Sequence, residues 1–435
     1  MKFLITSIFL LSFLNLNAQF NSAQLDQFFD ALETNDKFNG SIAISENGKI
    51  IYERSLGFAD YDSQKKNDAQ TLYRIGSITK TFTAALTLLA VDEGKLDLNQ
   101  SIDSFFPKLK NADKITLKQL LNHHSGIYSI TDDPKYLDWH TKAHSRAEML
   151  DKIYNYEPAF EPGSRGEYSN SNYVLLTIIL EKVYGKSFAE ILNEKIAQPL
   201  ELKNTRFGGK IDLNNKESNS YSYQREWVKK SETDSSIPLG AGGIISTPAD
   251  IIHFGEALFS GKIISENSLK EMTSFTNDYG LGLFEIPFYN KKGWGHTGGI
   301  DGFSSIWAYF PNENVSVALT SNGTNYSNNN IVIAALSAVF NQEFEIPEFA
   351  SSNADVAPGY HGTFSNSQIG LDIQITENEG QYIAQATGQF PFPLEKVDEF
   401  TFKFDLGGIQ LKFSEDLKSF MLLQGGGEFL FEKIK

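Results

Sequence analysis

Hydrophobic positions along the chain recur with two periods. Behind Ser22, a residue type that caps helices, Leu25, Phe28, Phe29 and Leu32 return at three- and four-residue steps, which predicts a helix with one buried face. Ser41 to Ser45 and Lys49 to Arg54 are β-rich runs on either side of Asn47-Gly48, a pair that takes the positive φ angles of a hairpin turn. Far downstream, Gly293 to Gly298, Phe303 to Phe310 and Val315 to Thr320 read as three more strands, the last two joined by the turn Pro311-Asn312-Glu313-Asn314. Ile331 to Phe340 then reads as a helix. Between these ends the period is helical: Lys80 to Val91, Thr116 to Asn122, Arg146 to Tyr154, Ser171 to Tyr184, Phe188 to Ile196 and Pro248 to Phe259. Thr247-Pro248-Ala249-Asp250 reads as a capping box with proline at the first helical position.

A helix and hairpin at one end, with three strands and a helix at the other, predict one antiparallel sheet flanked by terminal helices. The mainly helical region is inserted between them, an α/β (α+β) arrangement. From Asn341 to Pro358 the pattern lapses into Pro, Ser, Asn and acidic residues, as linkers do. Beyond it, Leu371 to Thr376, Phe400 to Phe404, Ile409 to Phe413 and Phe429 to Ile434 are short alternating runs between Gly-rich turns, which predicts a small all-β barrel or sandwich. The expected divisions are a main domain over 19–342, a linker over 343–357 and the β domain over 358–435.

Composition narrows the picture. A chain of 435 residues with 41% hydrophobic and 21% charged positions has enough core for about two or three domains. Lys2 precedes an apolar stretch, Phe3 to Leu16, that ends at Ala18-Gln19 and is shorter than the roughly 20 residues that span a bilayer. Residues 1–18 therefore read as a signal peptide, and the expected product is exported, periplasmic or secreted, with no transmembrane segment in the mature chain. Cysteine is absent, which excludes thiol catalysis and thiolate metal sites. A formal charge of −16 opposes nucleic acid as a partner, because phosphate contacts need clustered Lys and Arg.

Three short motifs carry candidate chemistry. Gly76-Ser77-Ile78-Thr79-Lys80 sits where an irregular segment enters an apolar helix. Residues three apart share a helix face, so a Lys80 amine made neutral by burial and the helix N-terminus can take the Ser77 proton. The string alone is weak, since Ser63-Gln64-Lys65-Lys66 repeats it in a polar stretch. Tyr168-Ser169-Asn170 follows the turn signal Glu161-Pro162-Gly163 and precedes a helix. Its phenol can relay a proton and its Asn170 can hydrogen-bond both Lys80 and a substrate amide. Tyr326-Ser327-Asn328 is a second copy of these letters, in a run of asparagines. His296-Thr297-Gly298-Gly299 lies on or just after a predicted strand whose small residues admit a substrate backbone. Backbone N–H groups of Gly299 and Ser77 can there form an oxyanion hole. His123 and His124, adjacent on a predicted helix and pointing apart, predict no metal site, and no cofactor is expected.

In order and spacing, Ser77-x-x-Lys80, then Tyr168-x-Asn170, then His296-Thr297-Gly298 resembles the serine β-lactamase and penicillin-binding family, in its class C-like branch. Neither decoy preserves that order. Leu120-Leu121-Asn122-His123-His124-Ser125-Gly126 is similar to a segment of the same branch, and the resemblance spans roughly Phe20 to Phe340. It implies Ser77 as acylated nucleophile, Lys80 and Tyr168 as the proton-handling pair, Asn170 as substrate and lysine positioner, and His296, Thr297, Gly298 and Gly299 as the substrate strand. Two positions depart from the family pattern: His296 stands where a β-lactamase carries lysine, and Glu167 where an apolar or aromatic residue is common. The expected activity is hydrolysis of a small-molecule or peptide ester or amide through an acyl-enzyme, of D-peptide carboxypeptidase, D-aminopeptidase or esterase type. A class C-like β-lactamase and a non-catalytic cell-wall or protein binding module are the alternatives.

Overall fold

The structure is a computed structural model that describes residues 20, 22–224, 226–275, 279–349, 359–378, 381–425 and 427–435. The expected signal peptide lies outside the described residues, as does the second half of the expected linker.

Six strands form the central antiparallel sheet: β1 (Phe38–Glu46), β2 (Lys49–Leu56), β3 (Phe284–Phe288), β4 (Lys291–Ile300), β5 (Phe303–Phe310) and β6 (Val315–Thr324). They lie in the order β3-β4-β5-β6-β1-β2, so residues from both halves of the chain meet where β6 pairs with β1. The hairpin turn is as expected, with φ +52° at Asn47 and +75° at Gly48. The period of two divides the sheet's side chains between two cores. Ile42, Ile44, Ala308, Phe310, Val317 and Leu319 face the helices Ser22–Thr34 and Asn328–Val339. Ala43, Trp307, Tyr309 and Ala318 face the inserted helical region. Each fully buried aliphatic side chain in these layers contributes about 1.5–3 kcal/mol.

The inserted region carries the helices Thr79–Asp92, Leu117–Leu121, Arg146–Asn155, Asn170–Tyr184, Phe188–Leu192 and Pro248–Phe259. Pro248 begins its helix and Thr247 Oγ1 accepts the Asp250 N–H, but the box is not reciprocal. The Asp250 carboxylate instead accepts from Asn204 N–H at 2.8 Å and Thr205 Oγ1 at 3.0 Å, tying that loop to the start of the helix. The pattern expected for Phe188 to Ile196 widens to a π-turn at Asn193–Ala197. His123 and His124 stand just beyond the helix Leu117–Leu121 rather than on it, with His123 at φ +61°.

Eight antiparallel strands from Gly362 to Lys433 close into a barrel, the first pairing with the last through Phe364 and Lys433. Its interior is filled by Tyr360, Phe364, Tyr382, Phe402, Phe413, Phe420 and Phe431. No described helix is long and apolar enough to cross a membrane.

Candidate active site

The segment Gly76–Ile78 is a single 3₁₀ turn that runs into the helix Thr79–Asp92. It is held from both sides. Ile75 N–H donates to Ile244 O at 3.1 Å and Thr79 Oγ1 accepts the Ile244 N–H at 3.1 Å, while Ser305 Oγ on β5 donates to Ile75 O at 2.8 Å. Ser77 is thereby set at a helix N-terminus, half-buried, with Lys80 one turn on and fully buried.

Lys80 Nζ lies 2.9 Å from Ser77 Oγ, 2.8 Å from Asn170 Oδ1 and 2.7 Å from the Ala241 carbonyl oxygen. Burial holds the amine well below its ordinary pKa. A neutral amine has two N–H donors and one lone pair. Two carbonyl oxygens take the donors, which leaves the lone pair for the Ser77 hydroxyl. Burial raises the pKa of the neighbouring Tyr168 hydroxyl, so the phenol is protonated. Lys80 Nζ stands 4.9 Å from the centroid of the same ring. Asn170 is fixed by Thr131, whose Oγ1 accepts from its Nδ2 at 2.9 Å, and by Ser129, whose Oγ accepts its N–H at 3.2 Å.

On the facing wall, β4 presses its backbone against the Ser77 turn. A Cβ on Gly298 would meet Ile75 O at 2.1 Å and Ser77 N at 3.0 Å, so only glycine permits the approach. The fold thus brings Ser77, Lys80, Tyr168, Asn170, Gly298 and Gly299 into one cleft, out of segments far apart in sequence.

The Beta-lactamase family model matches residues 25–339, the greater part of the chain. The chain belongs to that family. It is a serine hydrolase related to the β-lactamases. A penicillin-binding protein of Bacillus subtilis (strain 168) is 27% identical over 93% of this chain and 97% of its own length. The teichoic acid D-alanine hydrolase of Staphylococcus aureus (strain MRSA252) is 29% identical over 66% of this chain and 71% of its own. Among solved structures, the D-amino acid amidase of Ochrobactrum anthropi SV3 superposes with a TM-score of 0.63 at 26% identity, covering 73% of this chain and 99% of that one.

Within this family member the expected substrate strand is only partly an edge. β3 pairs with β4 from Phe288↔Lys291 to Phe284↔Gly295, and among the described residues no named strand pairs with that side of β4 beyond Gly295. Thr297 and Gly299 are exposed there. His296 is not: it is 2% exposed, its ring 4.7 Å from that of Phe284 and 6.4 Å from that of Tyr168. Its Nδ1–H donates to the Thr297 carbonyl at 2.5 Å, and burial, reinforced by nearby Lys80, lowers its pKa to about 3. The imidazole is neutral and braces the strand from behind. The cleft itself holds about 330 Å³ and is lined by Ser77, Asn170 and Gly299 together with Ile130, Ile237 and Ile300.

Neither decoy reaches the cleft. Ser63 Oγ donates to Asp60 and Lys66 Nζ stands 3.9 Å from the centroid of the Phe58 ring, while Tyr326 packs on Phe28 and Phe349. The Ala241 carbonyl escaped the sequence reading because a backbone acceptor leaves no residue signature. The run Gly240-Ala241-Gly242-Gly243 was the available signal. A Cβ on Gly240 would stand 2.4 Å from Thr177 Oγ1 and 2.6 Å from Thr83 Oγ1, and that close approach brings the Ala241 carbonyl to Lys80.

Proposed function

We propose that the protein hydrolyses D-configured amides or esters through an acyl-enzyme on Ser77. The observation that carries this reading is the disposition of Lys80 Nζ, with two carbonyl oxygens taking its protons and the Ser77 hydroxyl 2.9 Å from its remaining valence. In acylation, Lys80 takes the Ser77 proton as Oγ bonds to the substrate carbonyl carbon. The carbonyl oxygen becomes an oxyanion that the N–H groups of Ser77 and Gly299 stabilise. Tyr168 gives its proton to the departing nitrogen or oxygen as that bond breaks, and recovers one through the Ser77–Lys80 pair. Asn170 orients both Lys80 and the acyl group. Water then enters by the reverse proton path and releases the acid.

The D-configuration is supported by the relatives, two of which are named for D-alanine and D-amino acid amide hydrolysis. A leaving group without a carboxylate is supported by His296, whose buried neutral ring offers no cation on the substrate strand. That favours a D-aminoacyl amide or ester over a β-lactam. The Lys2 to Ala18 pattern supports export, which suits a cell-wall substrate. The test is to react wild type and Ser77→Ala with a fluorophosphonate probe, then compare D- and L-alanine p-nitroanilides and a chromogenic cephalosporin. Labelling of wild type alone, with a preference for the D-anilide and slow cephalosporin turnover, is the expected result. Equal labelling of Ser77→Ala would sink the nucleophile, and faster cephalosporin hydrolysis would sink the substrate class.

A further inference from the structure

Both residues that flank Tyr168 are held by one histidine. The Glu167 N–H donates to the His123 carbonyl oxygen at 2.9 Å, and the Ser169 N–H donates to His123 Nδ1 at 3.1 Å. The His123 ring also lies against the Tyr168 ring, with centroids 4.4 Å apart and planes inclined by 31°. We infer that His123 is a positioning residue that sets the Tyr168 phenol against Ser77 by gripping the backbone on either side of it and backing its ring. This rests on the proposed acylation of Ser77.

The surroundings of His123 fit that task. The residue is 2% exposed and held at φ +61°, which turns its carbonyl and its ring toward the same strand of chain. Asn172 Nδ2 is a second donor facing Nδ1, at 3.4 Å, and its Oδ1 accepts the Ser125 hydroxyl at 2.6 Å. Two N–H groups directed at Nδ1 require a free lone pair there, so the ring carries its proton on Nε2. Burial chiefly, with Lys80, His296 and His124 nearby, holds the imidazole well below its ordinary pKa and keeps it an acceptor. An apolar side chain would fill the same space but would leave the Ser169 N–H without a partner beside the phenol.

The test uses residues that tolerate a left-handed backbone. His123→Asn keeps an acceptor where Nδ1 stands, and His123→Gly removes it. His123→Gln carries its amide past that point, and Gln64 in this chain already holds φ +56°. Second-order rates of fluorophosphonate labelling at Ser77 are measured per folded molecule, with folding followed by melting curves. His123→Gly and His123→Gln are expected to label about a hundredfold more slowly than wild type, as misplaced catalytic groups do, and His123→Asn within about tenfold of it. Adding Tyr168→Phe to either slow variant should cost little more, because the two changes remove the same contribution. Wild-type rates in His123→Gly and His123→Gln would overturn the inference. Multiplying losses in the double variants would do so too. No labelling of the wild type would remove the acylation reading and this inference with it, whereas normal labelling indifferent to position 123 would remove this inference alone.

Discussion

Gly76 and Gly299 touch: a Cβ placed on Gly76 would stand 2.6 Å from the Gly299 backbone nitrogen. That nitrogen carries one of the two N–H groups proposed to hold the oxyanion, and Gly76 itself lies at φ +49°, where an L side chain is strained. Gly76→Ala therefore pushes β4 off the Ser77 turn at the point where the two donors must converge. Loss of one such donor costs about 10²–10³-fold in rate. Acylation by an alanine ester should fall by that factor, with a small loss in melting temperature. Unchanged acylation at full occupancy would show that Gly299 is not a donor.

Lys80 sets activity against stability. In the folded chain burial keeps the amine neutral, while in the unfolded chain it is charged up to its ordinary pKa of 10.5. The unfolded state binds the extra proton, so folding stability rises with pH from the folded pKa to 10.5. Lys80→Met removes that liability along with the base. The variant should be inactive yet melt higher than wild type at pH 7, with the difference shrinking as pH approaches 10.5. It also leaves the Ala241 carbonyl without its donor, a cost smaller than that of burying the amine. A lower melting temperature at pH 7 would mean the opposite ordering.

Much of this arrangement was legible in the sequence because it depends on local rules. Asn47-Gly48 demands a hairpin, the apolar run after Thr81 demands a helix, and that helix places Lys80 one turn beyond Ser77. What escaped is what only long-range packing decides. β3 contains Pro287, which argues against a strand in a sequence pattern, so the covering of β4 up to Gly295 could not be seen. The burial of His296 depends on Phe284 and Tyr168 arriving from two other segments. His123 and His124 looked helical from the preceding leucines, but φ +61° at His123 ends that helix and gives the first histidine its grip on the Tyr168 loop.

His296 makes a prediction in acid. Its pKa falls from the ordinary 6.5 to about 3, so between these values the unfolded chain holds a proton that the folded chain does not. The stability this supplies is fully present above pH 6.5 and is lost as pH falls toward 3, at about 1.4 kcal/mol per pH unit for one proton. His296→Gln, which cannot titrate, should reduce the slope of unfolding free energy against pH in that window by about one proton. Because the ring stays neutral throughout, the acid limb of the activity profile should survive the substitution. Loss of that limb would assign it to His296 instead of Lys80.

The barrel is fastened to the sheet by a buried cation. Lys37, 5% exposed and one residue before β1, reaches Glu395 at 2.6 Å and Asp405 at 3.0 Å, and lies 4.9 Å over the Phe349 ring. Burial disfavours its charge, but Asp405 and Glu395 outweigh that and raise its pKa, so the cation persists. Asp405 is itself nearly buried, and desolvation lifts its pKa despite Lys37. Lys37→Met would strand this carboxylate inside the junction, at a cost of about 3–5 kcal/mol. Lys37→Met with Asp405→Leu and Glu395→Gln replaces the charges by groups that tolerate burial, and should recover most of the loss. The expected readout is faster proteolytic release of the barrel from Lys37→Met, reversed in the triple variant, with ester hydrolysis by the intact chain unchanged in both. Barrel release at the wild-type rate from Lys37→Met would show that the junction holds without the ion pair.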